Sequence, residues 1–232
     1  MKQEFKLNQE GYEIIEAVYS TKEVNTILEI TESKNLENKF GIREFLLDHP
    51  DVSNKVFTKK LMEIIERVSP KCNKSIKSIY FDKPPSANWI VNWHQDLTIN
   101  LTEKKETLFF KNWRIKDERV VVQPDIEMLE SIFTIRIHLD DCMKENGALR
   151  VIEKSHNQGV IDIKEWVKNK AGVERICEVN KGGVIIMKPL ILHSSKRTEN
   201  QQNRRVIHIE FTEKELPNGL KWKEEIRLKR QA

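Results

Sequence analysis

Helices first and many short strands after them: this order of elements predicts an α+β fold whose strands form a sandwich or jelly roll. Three observations carry the prediction. Apolar residues recur at helical spacing through the first third of the chain, and from about residue 75 the hydrophobic period changes to two. Turn residues punctuate the second part at short intervals. At 232 residues the chain suits one compact domain, 1–232, with a mainly helical flank over 1–74 and a β core over 75–215.

Ser20 followed by Glu23 makes a capping box, which opens a helix carrying Val24, Ile27 and Leu28 on one face. A second helix is expected over about 54–68, with Phe57, Leu61, Ile64, Ile65 and Val68 at helical spacing. Ser69-Pro70 stops it, because proline cannot continue the hydrogen-bond ladder. Strands are expected over 75–82, 88–98, 119–122, 132–139, 148–152, 183–187 and 206–212. Pro84-Pro85, Asn146-Gly147, Gly182-Gly183 and Pro217-Asn218-Gly219 supply the turns. A short helix over about 163–168 interrupts the series, and the one long irregular stretch, about 101–117, is a candidate active-site lid.

Forty basic residues stand against thirty-six acidic ones, a net charge of +4. The surplus is spread along the chain, in clusters such as Lys104-Lys105 and Lys229-Arg230 that read as solvated surface. No basic stripe with interleaved aromatics argues for a nucleic-acid partner. Cys72, Cys142 and Cys177 are odd in number and lack CxxC spacing, which argues against a disulfide framework or structural zinc site. The polar segment 1–10 lacks a signal peptide's apolar core, and no run approaches a membrane span of about 18 apolar residues. Reducing cytoplasm is the expected location, with no membrane partner.

The chemistry concentrates in Trp93-His94-Gln95-Asp96. On an extended strand, residues two apart share a face, so His94 and Asp96 can converge on one ion. Far downstream, Ile191-Leu192-His193 supplies a second imidazole. Two histidines and one carboxylate make the facial triad of iron(II) oxygenases, which leaves coordination positions open for a chelating co-substrate and O2. An HxD and a distant histidine also arise by chance among six histidines, as a surface histidine beside an aspartate. Arg204 adds to the case. It lies eleven residues after His193, beyond a polar turn, and opens a strand. A hairpin of that length returns the chain beside the histidine's strand. Its guanidinium can then grip the far carboxylate of 2-oxoglutarate in a bidentate fork, with the Ser195 hydroxyl beside it. Strand alternation turns only one of Arg204 and Arg205 inward; Arg204 is the one favoured.

Together, Trp93-His94-Gln95-Asp96, Leu139-Asp140-Asp141, the run from Asn146-Gly147 to Val151-Ile152, Ser155-His156, His193 and Arg204 resemble the phytanoyl-CoA dioxygenase family in order and spacing. The resemblance spans roughly residues 75–212. It implies iron(II) ligands His94, Asp96 and His193, with Arg204 anchoring 2-oxoglutarate. It also implies a double-stranded β-helix, a cupin-like jelly roll, packed against N-terminal helices. The activity implied is a 2-oxoglutarate-dependent dioxygenase that uses O2 to hydroxylate a C–H bond of a small-molecule substrate, releasing succinate and CO2. Relatives that halogenate carry a small residue in place of the carboxylate, so Asp96 points to hydroxylation or a related oxidation. One departure is Glu153-Lys154, where the family has a Pro-Gly turn.

Several residues keep two readings. On 132–139, Phe133, Ile135, Ile137 and Leu139 form an apolar face that reads as core. Thr134, Arg136 and His138 on the other face form either a solvated sheet surface or a cavity wall that touches 2-oxoglutarate or an anionic substrate. Gln123 is a candidate for the same cavity. Trp89 and Trp93 read first as core, with Trp93 also a pocket candidate. His208 shares Arg204's face, as a structural or a cavity-lining histidine. His156 reads as structural, Asn146-Gly147 as a turn alone, and His49 has no motif around it. Two other function classes compete: a cupin-like metalloprotein without 2-oxoglutarate chemistry, which would keep the triad but not need Arg204, and a non-catalytic module that kept the fold and binds a small ligand, against which an intact triad speaks.

Overall fold

The computed structural model describes residues 6–34, 36, 40–84, 89–105, 107–116, 118–169, 171–200 and 202–229. Pro85 of the expected turn, Asn88 of the expected strand, Asp117 of the expected loop, Arg230 of the basic cluster and residues 1–5 lie outside these. The helices are α1 (Leu7–Glu10), α2 (Thr21–Glu32), α3 (Phe45–Asp48), α4 (Pro50–Val56), α5 (Lys59–Val68), α6 (Ile126–Ser131) and α7 (Ile163–Asn169). The strands are β1 (Tyr12–Ile15), β2 (Gly41–Arg43), β3 (Lys74–Lys83), β4 (Val91–His94), β5 (Ile99–Leu101), β6 (Lys111–Lys116) and β7 (Arg119–Gln123). They continue as β8 (Phe133–His138), β9 (Leu149–Ile152), β10 (Glu174–Cys177), β11 (Val184–Met187), β12 (His193–Ser195), β13 (Arg204–Thr212) and β14 (Ile226–Arg227).

Among the described residues the strands form three sheets. The major sheet runs β1-β11-β8-β13-β3-β14, with β2 also on β3; the minor sheet runs β10-β9-β12-β4; the third is β5-β7-β6. The paired strands are antiparallel throughout. Register and alternation divide the major sheet into two faces. Phe133, Ile135, Ile137, Ile207, Ile209 and Phe211 join one apolar cluster with the residues that α2, α4 and α5 bury. Each aliphatic side chain buried there stabilises the fold by about 1.5–3 kcal/mol. The opposite face looks into the jelly roll, where Ile185 and Met187 meet Leu149 and Val151 of the minor sheet.

The capping box forms as expected: Ser20 Oγ accepts from the Glu23 amide, while Glu23 accepts from the Ser20 amide at 2.7 Å. Val24, Ile27 and Leu28 are buried. The single helix expected over 54–68 is instead two. α4 ends at Val56, Phe57 after it leaves helical geometry at ψ 64°, and Thr58 caps α5 by accepting from the Leu61 amide. The break lets Phe57 pack edge-on against Phe211, 6.4 Å between ring centres. The first third also contributes β1 and β2 to the major sheet.

The strand expected over 88–98 is shorter, ending at His94, and β5 follows separately. Within the stretch expected to be irregular, Lys111–Lys116 form β6, which pairs with β7. At the Glu153-Lys154 departure, Lys154 takes a left-handed φ of 63°, the conformation that glycine adopts freely. Its amide donates to the Glu10 carbonyl at 3.0 Å.

Candidate active site

His94 ends β4 and His193 opens β12, and the two stand directly opposite each other in the minor sheet. Their ring centres are 4.1 Å apart. Each ring is held from behind. His94 Nδ1–H donates to the Asn92 carbonyl at 2.8 Å, and His193 Nδ1–H donates to the Ile191 carbonyl at 2.9 Å. This fixes the tautomer and leaves each Nε2 as a bare lone pair, the arrangement of metal-ligating histidines. Asp96 completes the group, with Oδ1 3.9 Å from His94 Nε2 and Oδ2 3.7 Å from His193 Nε2.

Asp96 lies past the end of β4, so strand alternation is not what holds it. Its amide donates to the Pro189 carbonyl at 2.9 Å. Gln95, between His94 and Asp96, donates to the carbonyls of Gly159 (2.8 Å) and Leu190 (2.6 Å) and accepts from the Ile161 amide (2.8 Å). Ser155 Oγ accepts from the Leu192 amide at 2.8 Å, pinning the residue before His193. The loop carrying Asp96 and the approach to His193 are thus tied to one another by buried polar bonds.

The donor set fits a metal. Asp96 Oδ2 is buried with no hydrogen-bond partner among the described residues. Burial pushes the Asp96 carboxyl up, but the surrounding His193, His208, His94 and Lys77 outweigh it and hold the group well below the usual carboxylate range. Burial pulls His193 down to about 4. Near neutrality the pair is therefore carboxylate and free imidazole, the protonation states that coordination requires. Two imidazole nitrogens and one carboxylate match the facial set of non-haem iron(II) sites.

Behind this triad lies a cavity of about 270 Å³, lined by Arg204, Ser195, Lys83, Arg136 and His208 among others. Arg204 does not arrive by a hairpin. β12 belongs to the minor sheet and β13 to the major one, so Ser195 and Arg204 stand on different sheets and Arg204 joins the cavity wall from the major sheet. Its Nη1 donates to the Gly147 carbonyl. Asn146-Gly147 is thus more than a turn. A Cβ on Gly147 would sit 2.6 Å from the Lys196 carbonyl oxygen, so only glycine brings this carbonyl so close to the crossing segment.

The polar face of β8 is interior, not solvated. Arg136 lines the cavity, where its Nη1 donates to His208 Nδ1 at 3.1 Å. His208 Nε2 in turn faces Glu210 Oε1 at 3.3 Å, and Glu210 accepts from Lys77 at 2.7 Å. Thr134 and His138 are buried but stand outside the lining of this cavity. Thr134 sits beside Met187 in register, and Met187 belongs to the apolar cluster between the sheets. His138 is held well below its ordinary value by burial and by Arg136 and Arg204.

Gln123 enters a second cavity, of about 710 Å³, which shares Arg43, Lys77, His94, Asp96 and Thr98 with the first. There it accepts from Asn112 Nδ2 at 2.8 Å. Trp93 faces away from both cavities, packing edge-on against Trp166 (5.2 Å) and beneath the Arg150 guanidinium (5.1 Å). Trp89 lines the first cavity, under Lys83 at 5.0 Å. His156 is structural, with Nε2–H donating to the Asn8 carbonyl at 3.2 Å.

Lys77, Lys83 and Glu210 escaped the sequence reading, although the parity that turns Arg204 and His208 inward also applies to them. Gln95, Ser155 and Gly147 escaped it as positioning groups. All three lie inside the recognised motifs, where attention falls on their neighbours.

A jelly roll with two facing sheets and a His-Asp-His group at a basic cavity is the frame of a non-haem iron, 2-oxoglutarate-dependent oxygenase. The match to the phytanoyl-CoA dioxygenase (PhyH) family covers residues 7–206, and the chain belongs to that family; its cofactor is iron and its co-substrate 2-oxoglutarate. Solved structures of similar fold include the non-heme alpha ketoglutarate dependent carbocyclase SnoK from nogalamycin biosynthesis. It is 15% identical, with a TM-score of 0.69 over 89% of this chain and 81% of that one. HygX from Streptomyces hygroscopicus, with nickel and 2-oxoglutarate bound, is 12% identical, with a TM-score of 0.62 over 89% and 83%. EctD from S. alaskensis, in its apoform, is 16% identical, with a TM-score of 0.65 over 89% and 74%. At these identities the likeness is one of fold. No curated protein matches the chain. Among the described residues, no helix is long and apolar enough to cross a membrane.

Proposed function

We propose that the protein hydroxylates a C–H bond of a small-molecule substrate, converting 2-oxoglutarate and O2 to succinate and CO2. His94, Asp96 and His193 hold iron(II), and Arg204 with Ser195 holds the distal carboxylate of 2-oxoglutarate. The observation that carries this reading is the placement of the three donors at one cavity whose wall also presents Arg204 and Ser195. A dicarboxylate keto acid fits between a metal and such a cation. Bound iron(II) supplies the oxidising chemistry that couples decarboxylation of the keto acid to oxidation of the substrate.

The chain's own residues orient and shield. The backbone carbonyls of Asn92 and Ile191 aim the two imidazoles, and Gln95 ties the Asp96 segment to the strand that brings His193. The Gly147 carbonyl sets the direction of Arg204. Arg136 and Lys83 bring further positive charge to the same wall, which favours a doubly negative co-substrate. Asp96 occupies the position where halogenating relatives carry a small residue, which supports hydroxylation.

Succinate formation by iron-loaded protein tests the reading. Arg204→Ala is expected to raise the 2-oxoglutarate concentration needed for half-maximal turnover by about a hundredfold, the loss of a charge-assisted bidentate contact, with Arg204→Lys intermediate. An unchanged requirement in Arg204→Ala would remove 2-oxoglutarate from this cavity.

A further inference from the structure

Resting on the oxygenase reading above, we propose that Lys83 is a second cation of the co-substrate site. Its ammonium and the Arg204 guanidinium close together on the distal carboxylate of 2-oxoglutarate, and Lys83 sets the selectivity for a dicarboxylate over a monocarboxylate keto acid. Lys83 ends β3 and Arg204 opens β13, and the two stand directly opposite each other in the major sheet. Partners in register share a face, so both side chains enter the wall of the first cavity.

The placement is unfavourable until an anion arrives. Like charges directly opposite on paired strands repel. Lys83 is also only 1% exposed, and lysine is seldom so buried without a counter-charge. Among the described residues its polar partner is the Lys196 carbonyl, 3.1 Å from Nζ, with the Trp89 ring 5.0 Å away, and no carboxylate pairs with it. The ammonium therefore keeps N–H donors for a ligand. Burial, with Arg204 beside it, pulls the group down to about 8. The two carboxylates among the cavity's described lining residues are engaged elsewhere. Asp96 belongs to the metal group, and Glu210 accepts from Lys77 at 2.7 Å.

Two backbone carbonyls hold the cations side by side. Arg204 donates to Gly147 and Lys83 to Lys196. The two carbonyl-bearing residues are close neighbours, since a Cβ on Gly147 would meet the Lys196 oxygen at 2.6 Å. A carbonyl offers each cation a partial charge, whereas a carboxylate offers a full one and two oxygens to divide between them. A buried charge that weakens the empty protein and is satisfied by the ligand marks a group retained for binding.

Lys83→Met keeps an unbranched side chain and removes the charge. Full-length protein loaded anaerobically with iron(II) is titrated with 2-oxoglutarate and with 2-oxopentanoate, which has a methyl group in place of the distal carboxylate. Both chelate through the same keto-acid end, so the ratio of their affinities isolates what holds the far end. Lys83→Met is expected to weaken 2-oxoglutarate by about tenfold or more and to leave 2-oxopentanoate within about twofold. Without co-substrate it is expected to unfold at the same or a higher denaturant concentration than the parent, because an unpaired buried charge has gone. Lys83→Gln, uncharged but polar, is expected to shift the ratio in the same direction, and it carries the test should Lys83→Met not fold. An unchanged ratio in either folded variant would overturn the assignment. Equal losses for the two keto acids with a lower denaturation midpoint would overturn it too, in favour of a structural role. Failure of the unsubstituted protein to bind 2-oxoglutarate would instead remove the oxygenase reading. Normal binding with an unchanged ratio in the variants would remove Lys83 alone and leave Arg204 in place.

Discussion

Arg205 grips Asp140 with a two-pronged ion pair, Nε to Oδ2 at 2.9 Å and Nη2 to Oδ1 at 2.8 Å, while the Arg205 amide donates to the same carboxylate at 2.9 Å. The pair lies on the helix-covered face of the major sheet, where Arg205 also reaches Glu32 of α2. Alternation along β13 then turns Arg204 the opposite way, into the cavity. Asp140→Asn keeps the shape of the side chain but weakens the clamp. It is expected to cost about 2 kcal/mol of stability, as for other charge-assisted bonds. It should also raise the dissociation constant for 2-oxoglutarate by about three- to tenfold. Chemical denaturation and co-substrate titration measure the two effects. An unaltered 2-oxoglutarate affinity would show that Arg204 keeps its direction without the clamp.

Gln95 links the Asp96 segment to the approach to His193 through the Leu190 carbonyl, and to the 159–161 segment through two more hydrogen bonds. Gln95→Leu keeps the bulk and deletes the bonds. Iron(II) affinity is expected to fall by about ten- to a hundredfold, the usual cost of removing an outer hydrogen-bond partner from a metal site. Competition with a chelator reads this directly, and affinity equal to that of the unsubstituted protein would remove Gln95 from the positioning scheme.

Glu224 gives stability a distinct pH dependence. It is buried and accepts from the Ser78 amide at 2.7 Å and from the Ser78 hydroxyl. Burial raises its carboxyl from 4.5 to about 7, against the effect of the Ser78 hydrogen bonds. The folded protein therefore keeps this proton where the unfolded chain has lost it. The group's contribution to stability is fullest below about 4.5 and declines as pH rises toward 7, by up to about 3 kcal/mol. Glu224→Gln is expected to flatten that decline and to be more stable than the parent at pH 8. Denaturation midpoints at pH 5, 6.5 and 8 test it, and parallel pH profiles for the two proteins would contradict it.

The chemistry was more legible in the sequence than the geometry that assembles it. A facial metal site demands two histidines and a carboxylate, so residue type and spacing singled out His94, Asp96 and His193 as candidates, and the family resemblance joined them to Arg204. Strand parity separated the Phe133 and Thr134 faces of β8. It could not say that the polar face is also covered, because that depends on the minor sheet folding over it. The same limit explains the misplaced hairpin: the ten residues between His193 and Arg204 fit a turn within one sheet as well as a crossing between two. β1 escaped notice because its four residues show no alternation, and its partner β11 lies far along the chain. Gly147 read as an ordinary turn residue, since the guanidinium that its carbonyl accepts from comes from β13.

The central claim is that His94, Asp96 and His193 hold iron(II) facing a 2-oxoglutarate site built around Arg204. Anaerobic titration of the iron(II)-loaded protein with 2-oxoglutarate tests it most directly, through the weak visible charge-transfer band of a keto acid chelated to iron(II). The account predicts a saturable band, absent in His193→Ala and requiring far more co-substrate in Arg204→Ala. Iron demonstrably bound to the intact protein with no band at any 2-oxoglutarate concentration would contradict it.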